Sequence, residues 1–135
     1  MKCFYDLIFN NKSKTIFLAS VKSLLLKVIP KKRLAKHRLR ISEDKKHTFE
    51  GIISYLSSQM YERVEFVRNP GEFSVRGDII DIYSPNEEAP LRILFDFDKI
   101  ESLFLFDKNT QKSKTKVKDY YLFPSTEIIF DDDAI

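Results

Sequence analysis

An α+β fold is predicted: an antiparallel sheet of four to five strands packed against one helix, preceded by a partial α/β strand–helix unit. Three observations carry this. Residues 48–60 place apolar side chains at helical spacing, with Phe49, Ile52, Ile53 and Leu56 on one stripe. From Tyr61 onward the apolar period shortens to two and stays so to about Phe123. The segments of that second region are separated by short turn signals, such as Asn69-Pro70-Gly71.

The elements follow in order. Thr15-Ile16-Phe17-Leu18-Ala19 has the β-branched and aromatic character of a short buried strand. Ser20 then suits an N-cap, and Val21, Leu24, Leu25 and Val28 line one face of a helix that Pro30 closes. Thr48 suits the cap of the second helix. Strands are expected over residues 61–68, 72–84, 91–97 and 100–106. The first two would form a hairpin around the three-residue turn 69–71, and the last two a tight hairpin around Asp98-Lys99. Leu91, Ile93, Phe95 and Phe97 alternate with Arg92, Asp96 and Asp98, which gives one core face and one wet face, with Leu94 out of phase. Gly77 marks a bulge, because the apolar phase shifts from Phe73 and Val75 to Ile80 and Ile82. Residues 112–123 form an edge strand whose lysines at 112, 114, 116 and 118 discourage edge-to-edge pairing.

Charge divides the chain. Its net +3 combines a balance of +10 over residues 1–40 with −7 over residues 41–135. This separates a basic arm from an acidic domain, so the chain is read as 1–40, a domain over 41–127, and an acidic tail over 128–135. The basic stretch from Lys27 to Arg40 reads either as a solvated connector or as a phosphate contact through Lys31, Lys32, Arg33, Lys36, Arg38 and Arg40. No aromatic residue interleaves it to stack bases, so any hold on DNA is expected to be weak or indirect. Asp131-Asp132-Asp133 reads as a solvated tail.

Several functions are disfavoured. Cys3 is the only cysteine, which excludes an internal disulfide and suggests a reducing cytoplasm. No apolar run approaches the roughly 20 residues of a membrane span, and residues 1–10 do not form a signal peptide. The three glycines at 51, 71 and 77 form no Walker A loop. One cysteine and two histidines do not supply zinc-ligand spacing. With no nucleophile elbow and no marked carboxylate pair, an enzyme is not expected, nor is a cofactor or a metal.

The most specific stretch is Tyr61-Glu62-Arg63-Val64 followed by Pro70-Gly71-Glu72-Phe73-Ser74-Val75-Arg76-Gly77-Asp78-Ile79-Ile80-Asp81-Ile82-Tyr83. Leu91-Arg92-Ile93, Asp98-Lys99-Ile100-Glu101-Ser102, Phe106-Asp107 and Thr110-Gln111-Lys112-Ser113 follow. Over roughly residues 46–127 this resembles the UvrB-interaction domain shared by the transcription-repair coupling factor (Mfd) and the excinuclease component UvrB. Asn69-Pro70-Gly71-Glu72-Phe73, Ser74 in place of an arginine, and 110–113 lie closer to the coupling factor. Upstream, residues 19–25 are similar to the end of its first subdomain, which makes 1–40 a partial remnant of that subdomain plus the basic connector. Residues 124–127 are similar to the point where its chain returns there. Met60 departs from the family's usual Gly, and Tyr83-Ser84 from its Phe-Pro.

The resemblance implies a protein-docking module of nucleotide excision repair and transcription-coupled repair that binds UvrA, the damage-recognition component of the excinuclease. It implies a fragment or split product of a coupling factor, with the remaining coupling-factor polypeptide as a further partner. A small basic-arm DNA-binding protein and a non-functional remnant are the competing readings. By family match Arg63 and Arg76 carry UvrA binding, and Ser74 occupies a third contact position. Phe73 and Tyr83 read as core aromatics or as contacts. Across the expected hairpin Arg63 would lie within one rung of Arg76, a like-charge pair worth up to ~1 kcal/mol of repulsion unless Glu65 or Asp78 neutralises it.

Overall fold

A computed structural model describes residues 18, 20–24 and 37–126. The expected strand at 15–19 lies outside them except for Leu18, which is 95% exposed rather than buried. Also outside are Leu25, Val28, the basic residues 27–36 and the acidic tail. The short helix α1 (Val21–Leu24) begins directly after Ser20.

The domain is α+β. Helix α2 (Phe49–Ser58) forms where the stripe predicts it, and Thr48 caps it by accepting a hydrogen bond from Gly51 N at 3.1 Å. Six strands make one sheet in spatial order β2-β3-β4-β5-β6-β7: β2 (Glu62–Arg63), β3 (Glu72–Arg76), β4 (Ile79–Ile82), β5 (Leu91–Asp96), β6 (Lys99–Phe106) and β7 (Ser113–Val117). A separate antiparallel ribbon joins β1 (Leu39–Ser42) to β8 (Asp119–Leu122). β1 grows from the end of the basic stretch, where only a connector or phosphate contact was expected.

One face of the sheet makes the main core. Phe73, Ile80, Ile82, Leu91, Ile93 and Leu103 pack there against Ile52 and Leu56 of α2 and Ile41, Tyr120 and Leu122 of the ribbon. Tyrosine hydroxyls tie the layers together. Tyr55 donates to His37 O and Leu122 O, Tyr61 to Phe123 O, and Tyr120 to Ala89 O. Burial pushes all three phenols up in pKa.

The strand reading needs four corrections. The segment 72–84 is two strands, because Gly77-Asp78 is a two-residue turn with Gly77 at φ +57°, not a bulge. The apolar phase shift follows at once, since this turn sets Val75 opposite Ile80 and Phe73 opposite Ile82. Residues 61–68 are not a hairpin partner of β3. Only Glu62–Arg63 pair, and they run parallel to β3. The intervening loop turns back because its apolar residues Val64 and Val67 bury against Tyr83 and Phe106 in a second cluster. The Glu72 carboxylate also binds Arg68 N, Asn69 N and Asn69 Nδ2 at 2.7–2.8 Å. Burial raises the Glu72 pKa, but these donors outweigh it and hold the carboxyl below its ordinary range.

The third correction concerns Phe97. It lies in the tight turn between β5 and β6, 92% exposed, instead of on the core face. The alternation of β5 holds through Asp96, which pairs with Lys99, so Phe97 falls in the two-residue turn at φ +53°. The last concerns 112–123. Its lysines do line the edge strand β7, but the chain then leaves the sheet to pair as β8 with β1.

Candidate functional site

The face of the sheet turned away from α2 carries a charged cluster built by register. Ser74 stands opposite Asp81, and Asp81 opposite Arg92. Strand alternation therefore puts Ser74, Arg76, Asp81 and Arg92 on one side and the main core on the other. Asp81 is 1% exposed and is the only buried charged residue among those described. Arg92 grips both its oxygens, Nε to Oδ1 and Nη2 to Oδ2, each at 2.8 Å. Arg76 adds one bond, Nη2 to Oδ2 at 2.6 Å.

The two arginines are held very differently. The remaining nitrogen of Arg92, Nη1, donates to Gln111 O and Ser113 Oγ, and its plane lies 4.8 Å from the centre of the Phe106 ring. Its hydrogen bonds to Asp81, opposed by burial, raise its pKa further above the ordinary arginine value. Its side chain is 14% exposed, so it is a structural member of the cluster. The Arg76 side chain is 41% exposed. Its guanidinium lies 5.5 Å from the Phe66 ring centre, and Phe66 is itself 43% exposed on the loop that covers this face.

The expected side-by-side pair of Arg63 and Arg76 does not form. Arg63 sits opposite Phe73, three residues along β3 from Arg76. Its neighbour Tyr61 belongs to the main core and Val64 to the second cluster, so alternation sends Arg63 to the α2 side. The repulsion expected across a hairpin is therefore absent. Asp81, not Glu65 or Asp78, pairs with Arg76. Both arginines remain exposed near the β2–β3 edge. Phe73, Ser74 and Tyr83 lie in the interior. The Ser74 hydroxyl is buried with no hydrogen-bond partner among the described residues.

Sequence reasoning passed over Asp81 and Phe66, and it placed Arg92 on a wet face as surface support, whereas its side chain is 14% exposed and committed to Asp81. The legible signal was Asp81 within Ile79-Ile80-Asp81-Ile82, since an acid in so apolar a strand needs a buried cation. Of the basic stretch, Arg38 lies 4.5 Å from the Tyr121 ring centre and Arg40 is paired with Asp119 at 3.0 Å. Lys31, Lys32, Arg33 and Lys36 lie outside the described residues.

Comparison with known proteins gives the family. The family profile of the UvrB interaction domain matches residues 39–128. The chain is 38% identical over 128 residues to the transcription-repair-coupling factor of Borreliella burgdorferi, covering 94% of this chain and 11% of that protein. It is 36% identical over 129 residues to that of Rickettsia typhi, covering 96% of this chain and 11% of that protein. Against the UvrABC system protein B of Nitrosomonas europaea it is 40% identical over 93 residues, 67% of this chain and 13% of that protein. The chain thus spans about a tenth of the length of these relatives. With most of its length matched by one family profile and 36–40% identity to these relatives, it belongs to the UvrB interaction domain family.

Proposed function

We propose that this chain is a protein-docking module of nucleotide excision repair whose partner is UvrA, the damage-recognition component of the excinuclease. The observation that carries the reading is the family match over residues 39–128, which contains the whole six-stranded sheet. The surface chemistry supports it. Arg63 and Arg76 are exposed near one sheet edge, and arginine is suited to bidentate contact with carboxylates. Their separation onto two sides means that a partner engaging both must wrap the β2–β3 edge. Phe73, Ser74 and Tyr83 act from inside, by fixing β3 and the end of β4. Within a coupling factor such docking would recruit repair to stalled transcription.

Calorimetric titration with purified UvrA tests the proposal. Binding by the full chain is expected. Arg63→Ala and Arg76→Ala should each weaken it by about 1–4 kcal/mol, the range of an interface hot spot. No heat of binding, or unchanged affinity in both variants, counts decisively against it.

A further inference from the structure

The Arg76–Asp81–Arg92 cluster holds two full cations against one carboxylate. Arg92 is nearly saturated: both Asp81 oxygens, the Gln111 carbonyl and the Ser113 hydroxyl take four of its five donors. The surplus positive charge therefore falls at Arg76, which uses one nitrogen on Asp81 and sits at the surface. Among the described residues its Nε and Nη1 make no hydrogen bond. Five N–H donors in a planar fork leave room for a second carboxylate. Beneath the fork lies Phe66, a partly exposed aromatic ring. Asp81 on one side and Phe66 on the other already restrict the Arg76 side chain, so little rotamer freedom remains to be lost on binding.

Resting on the docking reading above, we propose that Arg76 and Phe66 form one composite subsite. It takes an acidic side chain on the partner protein together with a neighbouring apolar one. Asp81, which touches no partner, is the positioning residue that aims Arg76. The incoming carboxylate gives the second cation an anion of its own, and the apolar neighbour covers the exposed part of the Phe66 ring. Arginine and aromatic side chains packed together are the usual centre of a docking hot spot.

The test is a calorimetric series with purified UvrA and the full chain, at low and at high salt. Phe66→Ala and Arg76→Lys should each weaken binding by roughly five- to fiftyfold. Salt should weaken the wild-type complex more than the Arg76→Ala complex, because the ion pair is lost from the latter. Asp81→Asn should also weaken binding, but the loss should vanish in an Arg76→Ala background. A merely structural role would show the same loss in both backgrounds and would overturn the positioning role.

Should Asp81→Asn fail to fold, the Phe66 and Arg76 variants decide the subsite alone. Wild-type binding with both of them unaffected overturns the subsite and leaves docking intact. Absence of wild-type binding removes the docking reading itself, and the subsite with it. A short duplex oligonucleotide that displaces UvrA from the wild type but not from Arg76→Ala would make this a phosphate site and overturn the carboxylate assignment.

Discussion

Replacing Phe97 with asparagine should make the protein more stable. Phe97 sits in the β5–β6 turn at φ +53°, a left-handed conformation that a side chain with a Cβ enters at a cost of about 1–2 kcal/mol. Asparagine tolerates this region far better. The ring offers little in return, because Phe97 is 92% exposed. A phenylalanine buries at most about 250 Å². The hidden tenth or less of that area contributes no more than about 0.5 kcal/mol. Phe97→Asn should therefore gain about 1 kcal/mol, seen as a higher urea midpoint at unchanged slope and a melting temperature raised by about 3–5 °C. Phe97→Ala removes the ring but keeps the Cβ, so it should gain nothing. An equal gain from Ala and Asn, or none from Asn, would show that backbone conformation is not what the turn is limited by.

Other perturbations follow from the same reasoning. Met60, at φ +61° where the family usually has Gly, should yield about 0.5–1 kcal/mol of stability on Met60→Gly, the relief being partly offset by the freedom glycine adds to the unfolded chain; thermal unfolding measures it. Asp81→Asn leaves the partly buried Arg92 without its counter-ion and should destabilise by about 3 kcal/mol in denaturant titration. Asp107 is held well below the ordinary carboxylate value of 3.8 by Lys114 Nζ, with Thr110 N and Asn109 N adding to it. A depressed folded-state pKa stabilises above the unfolded value and is lost as pH falls through the folded one. The melting temperature of the wild type should thus exceed that of Asp107→Asn at neutral pH, and the gap should close as the pH drops below 3.8; a gap independent of pH would refute the assignment.

The sequence was most legible where structure is local. The α2 stripe and its Thr48 cap lie within one run of residues and needed no partner to be read. The lysine-lined edge strand was readable for the same reason, and so was the β5–β6 hairpin, though its turn is Phe97-Asp98 and not Asp98-Lys99. Apart from the local turns at Gly77-Asp78 and Phe97-Asp98, errors arose where a distant group decides the path. Asn69-Pro70-Gly71 has the composition of a hairpin turn. The chain instead reverses twice because Val64 and Val67 gain more by burial on Tyr83 and Phe106, 16–42 residues away. β1 was missed because its pairing strand, β8, lies about 80 residues on, and the basic residues Arg38 and Arg40 hid its character.

That single misread loop also decides which side Arg63 and Arg76 occupy. In an antiparallel hairpin around residues 69–71, Arg63 and Arg76 would have shared one face and repelled each other. With β2 parallel to β3, the loop crosses the far face and carries Phe66 to Arg76, while Arg63 leaves on the helix side. Arg76 is thereby relieved of Arg63 and given an aromatic neighbour, while Arg92, which bonds the same Asp81 oxygen, stays a close cation. Its balancing acid can then be buried Asp81, a residue already committed to Arg92. A surface acid at 65 or 78 would have neutralised Arg76 outright. An acid shared with a second arginine cannot, and the proposed docking of an acidic partner rests on that shortfall of negative charge.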